Sequence, residues 1–291
     1  MATMREIKRR KSSIQSTQQI TNAMKLVSTV KLQKSRVKAE NTRPYFDLTY
    51  STVCSILAHT QNVRHPYLQK GISDKQAVIA ITSNRGLAGG YNSNIVKEVD
   101  GNTDLEMGRV KLYAIGRKGR DALVRRGYEL TRDYSDVIEE PSYADAAAIG
   151  RAVLEAYQSG EVGEIYLAYT AFKNTVSHEP KLIKLLPIEL SEEELAAGQA
   201  VSEDRECPMN YDGDEEEVLN ALIPGYVYNL IYGGMLESIA SENGARMQAM
   251  DSATSNAEEM IDKLSLQYNR ARQSSITQEL TEIIAGAEAL N

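Results

Sequence analysis

The stretch MQAMDSATSNAEEMIDKLSLQYNRARQSSITQELTEIIAGAEAL, Met247–Leu290, steps its core letters by three and four. Met247, Met250, Thr254, Ala257, Ile261, Leu264, Tyr268 and Ala271 form one stripe, and Ile276, Leu280, Ile283, Ala287 and Leu290 continue it one position late. Such spacing puts residues on one face of an α-helix. The late step predicts a straight helix of about 3.6 residues per turn, whose seam drifts from a strict seven-residue repeat. Read from Asp214, at about 1.5 Å per residue, the segment reaches on the order of 110 Å. A helix that long cannot fold back on itself and must lie against another long partner. The other candidate is Met4 to Val37, at the opposite end of the chain. Pro224 and the glycines Gly225, Gly233, Gly234 and Gly244 favour two or three shorter bundle helices instead. Between Gly244 and Gly286, however, no breaker occurs.

The 291 residues suffice for one large or two small domains with a proper core. No apolar run approaches the 18 or so residues that cross a bilayer. The opening MATMREIKRRKSS carries charges where a signal peptide needs an apolar stretch, which places the chain in a cytoplasm-like compartment. The two cysteines, Cys54 and Cys207, make no disulfide framework and show no metal spacing. The net charge of -7 hides a polarity. The first 43 residues hold eleven Lys or Arg against two Glu, leaving 22 basic and 38 acidic groups elsewhere. A basic helix suits nucleic acid, an acidic membrane surface or an acidic protein partner, and is most commonly a solvated face.

The first element reads as an amphipathic helix through Ile7, Ile14, Thr21, Met24 and Val27, a thin stripe that fits a helix clamped along one side. Pro44 interrupts it before Tyr45 to Ala58 resumes an apolar period. From Gln76 the texture changes. QAVIAITS, RVKLYAIG and EIYLAYTAF are compact β-branched runs, alternating with helical patterns at 94–99, 119–126 and 143–157. Strands alternating with helices predict a small, Rossmann-like α/β domain with a mainly parallel sheet. KLIKLLPIEL fits an edge strand, since Pro187 lacks a ladder donor. The stretch Glu189 to Glu217, with twelve acidic residues against Arg205 alone, reads as an exposed linker. The expected organisation is an N-terminal coiled-coil helix at 1–58, an α/β domain at 72–190, an acidic linker at 191–213 and a returning C-terminal coiled-coil helix at 214–291.

Chemistry is sparse. The glycine turn ITSNRGLAGGYNSN, Ile81–Asn94, sits between a strand and a helix, where phosphate loops occur. It lacks both GxGxxG and GxxxxGK[ST], and its only cation is Arg85. A tight turn that glycine makes possible is the plainer reading. His59, His65 and His178 fall in expected loops or at a helix end, without partners at ligand spacing, and are expected to face solvent. No serine has a nucleophile-elbow context. The carboxylate runs at Glu192–Glu194 and Asp214–Glu217 are solvated, so nothing there perturbs a pKa for acid or base work. No catalytic residue, metal site or cofactor is expected. A rival reading is a nucleotide-dependent α/β enzyme dimerised by a coiled coil; a basic coiled-coil tether for nucleic acid lacks the interleaved aromatics.

Three blocks resemble one family. REIKRRKSSIQSTQQITNAMKLVSTVKLQKSR, the glycine turn and the closing ITQELTEIIAGAEA, Ile276–Ala289, are similar to the gamma subunit of F-type ATP synthase, in order and along the whole chain. The resemblance implies a long antiparallel coiled coil of the N- and C-terminal helices with the α/β domain inserted. This asymmetric shaft would stand inside a ring of alpha and beta subunits, with its foot on the membrane ring of c subunits. It places Met24 and Lys25 against the acidic lever loop of the beta subunits, a better use of a basic helix than nucleic acid. It makes Arg246, Arg272, Gln273 and Thr277 polar contacts to the catalytic subunits, and puts Tyr211 and Asp212 near the foot, facing the epsilon subunit and the membrane ring. It implies a non-catalytic subunit, peripheral at the cytoplasmic face of a bacterial plasma membrane. Plant-chloroplast relatives carry an inserted cysteine pair where this chain has Cys207 alone, so thiol control is not expected.

Overall fold

The computed structural model describes residues 3–59, 65–175, 177–188 and 215–288. They fall into two compact units, Met1–Thr29 with Arg246–Asn291, and Val30–Ala245. Two helices contribute to both: α1, Met4–His59, and the last helix, Glu215–Glu288. The expected linker at 191–213 lies outside the described residues.

In the first unit, α1 opens on a reciprocal cap. Thr3 donates its N–H to Glu6 Oε2 at 2.9 Å, and Glu6 N–H reaches Thr3 Oγ1 at 3.4 Å, so two of the donors stranded at a helix start are satisfied. The two helices meet antiparallel. Thr21 Oγ1 lies 2.8 Å from Thr254 Oγ1, and Lys25 Nζ donates to Asp251 Oδ1 at 2.6 Å. The shielded positions on α1 run Ile7, Lys11, Ile14, Gln18, Thr21, Lys25 and Ser28, alternating steps of four and three. On the last helix they run Met247, Met250, Thr254, Ala257, Ile261, Leu264, Tyr268, Ala271 and Ser275. Both repeat every seven residues, the period of a left-handed supercoil.

That period corrects two expectations. Val27 is 57% exposed and Ser28 takes its place in the seam. The stripe does not slip at Ile276, which is 49% exposed; half-buried Ser275 keeps the seven-residue step, one turn past the last residue that α1 faces. The register supplies the reason. Continued one for one from Thr21 on Thr254, it sets Met4 opposite Ala271, so nothing on α1 remains to cover Ile276, Leu280, Ile283 or Ile284, all exposed.

The second unit is a three-layer α/β domain. Its elements are β1 Gln76–Ile81, α2 Tyr91–Gly101, β2 Val110–Ile115, α3 Arg117–Arg126, β3 Glu129–Asp133, α4 Tyr143–Gln158, β4 Glu164–Phe172 and β5 His178–Leu186; the last helix is α5. The sheet order is β3-β2-β1-β4-β5, parallel except for the antiparallel edge β5. The three expected runs form β1, β2 and β4. They are buried on both faces, which explains their unbroken apolar character. Alternate residues serve opposite cores. Ile79, Ile81, Tyr113, Ile115, Ile165 and Leu167 pack with α4 and with Ile223, Val227 and Ile231 of α5, whereas Val78, Ala80, Leu112 and Ala114 pack with α2 and Leu123 of α3. The run before Pro187 is β5, the expected edge.

Two further expectations change. Pro44 does not interrupt α1, which is continuous from Met4 to His59, and α5 likewise contains Pro224. A proline removes one ladder donor, at about 3 kcal/mol in a helix interior, a loss spread over a helix of 56 residues in α1. β3 was not expected at all. Its sequence, ELTRD, is exposed at four of five positions because it forms the other sheet edge.

Candidate functional site

The paired helices carry the sequence-predicted residues of the first unit. Met24 and Lys25 sit side by side, both half-buried. Lys25 is not free, since its ammonium is bound by Asp251. That pair is 37% and 58% exposed, so it contributes about 0–1 kcal/mol and serves register more than stability. Arg246 is half-buried and engaged within the chain. Arg272, Gln273 and Thr277 are exposed, beyond the reach of α1, with Thr277 Oγ1 donating to Gln273 O at 2.9 Å. The structure thus brings together Met24 with Lys25, and Arg272 with Gln273 and Thr277, as two separate groups. Tyr211 and Asp212 lie outside the described residues. Sequence reasoning put Thr21 and Thr254 on the facing stripes but missed Asp251 as a cross-helix partner; the signal was a short acidic residue beside the stripe, opposite Lys25 on α1.

The register predicts a specific cross-link. Thr21→Cys with Thr254→Cys should bridge under mild oxidation, because their side-chain oxygens already stand 2.8 Å apart. A non-reducing gel reads it. Bridging of Thr21→Cys with a cysteine at Ile261 in its place would refute the register.

The second unit tests the nucleotide alternative. In a doubly wound sheet, ligands bind outside the carboxyl ends of the strands where the strand order reverses, here between β1 and β4. In this chain α5 covers that place. Gly234 packs against Ile81 and Leu167, Ser238 Oγ accepts from Thr170 N–H at 3.2 Å, and Ser241 Oγ donates to Thr170 O at 3.2 Å. The glycine turn is spent on structure. Asn92 Oδ1 accepts from Ser83 N–H at 2.9 Å, Asn84 Nδ2 donates to Ser135 O at 2.7 Å, and Arg85 pairs with Glu139 at 3.7 Å. Gly89 takes φ +54°, which is the turn's demand for glycine, and Leu87 holds φ +63° beside it.

The histidines correct an expectation, for two of them are not in solvent. His65 is 1% exposed, its Nδ1 accepting from Tyr67 N–H at 3.2 Å and its Nε2 at 3.1 Å from Asn220 Oδ1. His178 packs between Phe172 and Gly244, where a Cβ would stand 2.6 Å from the ring. The side chain of His59 lies outside the described set. Burial holds the His178 pKa below its ordinary 6.5. The unfolded chain therefore binds the extra proton first, and stability is full above about 6.5 and falls as pH drops below it. A melting temperature that declines from about pH 7.5 to about pH 5, with the decline reduced in His178→Phe, is the expected result. Among the described residues no group of His, Cys, Asp and Glu could hold a metal, and no helix is long and apolar enough to cross a membrane.

Comparison with known proteins agrees with this arrangement. A family model described as ATP synthase matches residues 3–290. The ATP synthase gamma chain of Lachnoclostridium phytofermentans is 63% identical over 294 aligned positions, covering 100% of both chains. Among solved structures, a chain of the Tetrahymena thermophila mitochondrial ATP synthase central stalk and c-ring aligns with a TM-score of 0.59 at 27% identity, over 80% of this chain and 99% of that one. A chain of the Euglena gracilis mitochondrial ATP synthase OSCP/F1/c-ring assembly in rotational state 3 shares the fold, with a TM-score of 0.66 at 19% identity over 99% and 94% of the two chains.

Proposed function

The chain belongs to the ATP synthase gamma family, whose members are non-catalytic subunits, and from that premise we propose that its paired ends are the shaft coupling ion-driven rotation of a membrane ring to sequential change at the catalytic beta subunits. The observation that carries this reading is the antiparallel pairing of the two chain ends, Thr21 on Thr254 and Lys25 on Asp251, in a chain that matches the family over its full length. Its partners are the alpha and beta subunits around the shaft, and the epsilon subunit and c ring at the foot. It is peripheral, at the cytoplasmic face of a bacterial plasma membrane.

The energetics require such a part. One charge crossing a membrane yields about 2.3 kcal/mol per 100 mV. Releasing a product held at nanomolar strength costs about 12 kcal/mol. Several ion steps must be pooled and delivered to one site at a time, and a partner shifts a conformational equilibrium only by contacting its states differently. The unequal faces of the helix pair provide that difference. Met24 and Lys25 form the contact to the acidic lever of a beta subunit. Lys25 keeps ammonium hydrogens beyond the one given to Asp251, so it can bridge outward while staying fixed. Arg246, Arg272, Gln273 and Thr277 make the polar contacts to the catalytic subunits, and Tyr211 with Asp212 serve the foot.

Affinity purification through a tag on this chain tests the assignment. Alpha, beta, epsilon and c subunits should co-purify in an assembly that hydrolyses ATP. Recovery of this chain alone, binding one equivalent of ATP at the Ala88–Tyr91 turn, would favour the nucleotide-dependent enzyme.

A further inference from the structure

Inside the unit Val30–Ala245 lies a cavity of about 590 Å3, bounded by the middle of α1, the β4–β5 hairpin and the Asn229–Glu237 segment of α5. That volume is in the range, roughly 300–1,000 Å3, that receives a small organic molecule. Tyr169, Phe172, Ile183 and Leu230 give it apolar walls.

Two features single it out. Asn229 lines it at 5% exposure, and its side-chain amide nitrogen has no hydrogen-bond partner among the described residues. A buried donor left bare is destabilising, so native structures rarely keep one without an acceptor from elsewhere. Gly233 is the second. A Cβ there would meet nothing within 4 Å, whereas at its neighbour Gly234 it would crowd Leu167, Ile81 and Tyr169. Glycine weakens a helix relative to alanine, and packing within the chain does not require it at 233. Its missing side chain leaves the cavity open.

Charge and donors define the occupant. Arg36, Lys173 and Lys181 line the cavity against Glu40 and Glu237, and with Glu179 beside Lys173 the charges balance, so that among the described residues Lys181 is the lining cation left for a ligand. Arg36 is taken by Glu40 at 2.7 Å and Lys173 by Glu179 at 2.6 Å, while Glu237 Oε2 accepts Phe172 N–H at 3.3 Å. Burial, and next the Glu237 charge, push the Tyr169 phenol up to about 12, so it stays protonated and able to donate. We propose that this cavity binds a small organic monoanion with a flat apolar body, an aromatic carboxylate in class, whose oxygens accept from the Asn229 amide and the Tyr169 hydroxyl and whose charge is met by Lys181.

Calorimetric titration of the purified complex containing this chain with 1-naphthoate tests the proposal. One saturable equivalent per copy of this chain is expected, lost in Gly233→Leu, which fills the cavity, and at least about tenfold weaker in Asn229→Leu. The neutral 1-naphthylmethanol should also bind at least about tenfold more weakly than the carboxylate. Thermal unfolding controls for folding. Asn229→Leu keeps the branched side-chain shape and removes the bare donor, so it should melt no earlier than the parent and serves if Gly233→Leu fails to assemble. Absence of saturable binding, affinity unchanged in Asn229→Leu, binding that survives Gly233→Leu, or equal binding of the alcohol would each overturn it.

Discussion

Gly116→Val should strongly destabilise the sheet domain. Gly116 joins β2 to α3 at φ +105°, and a Cβ there would stand 2.1 Å from the carbonyl oxygen of Thr82. Thr82 cannot retreat. Its N–H donates to Ile115 O at 2.7 Å, its hydroxyl bonds Gly116 O at 3.1 Å, and the same oxygen accepts from Gly119 N–H at 2.9 Å. Left-handed strain of about 1–3 kcal/mol adds to overpacking of about 1–3 kcal/mol. A loss near the sum of these would consume a large share of a domain stability of about 5–15 kcal/mol. Circular dichroism melts and the yield of assembled complex would record it. Gly101→Ala, where a Cβ meets nothing, is the control and should be neutral or slightly stabilising. Native-like melting of Gly116→Val would show that the β2–α3 turn is not as tight as described.

Gln273→Ala should lower coupled ATP turnover about tenfold, equivalent to about 1.4 kcal/mol of lost transition-state contact, while assembly and melting temperature hold. Its side chain is exposed and stands where α1 has ended, so the folded chain gains little from it. Arg246→Ala should lower turnover comparably but also cost stability, because Arg246 is half-buried and engaged within the chain. The contrast between the two separates coupling from folding. Loss of assembly in Gln273→Ala would sink its assignment as a contact residue. Comparison of rotation-coupled hydrolysis with the melting temperature of each complex gives both readings.

Much of this architecture was legible in the letters. Eight residues from Met247 to Ala271 step by three and four, and all eight are shielded by the partner helix. The buried strands announced themselves because parallel strands are apolar on both faces. What stayed hidden follows from the same physics. β3 is an edge strand and its letters are polar. Ser28 and Lys25 lie in the seam without looking apolar, and Val27 looks apolar while facing outward. His65 is satisfied by a backbone N–H and a distant asparagine, a pairing that local spacing cannot reveal. Of the candidate site, the residue types were readable, but the capture of Lys25 by Asp251 and the stopping of α1 opposite Ala271 depend on register between segments more than 220 positions apart.

The contact between the two ends rests in good part on hydroxyls and an ion pair instead of interlocked leucines. Such contacts have shallow minima of about 1 kcal/mol or less and re-form after a small slide. A helix pair held this way around Thr21–Thr254 and Lys25–Asp251 can shift there by a small step at little cost. Stiffening it by Thr21→Leu with Thr254→Leu would trade that softness for grip.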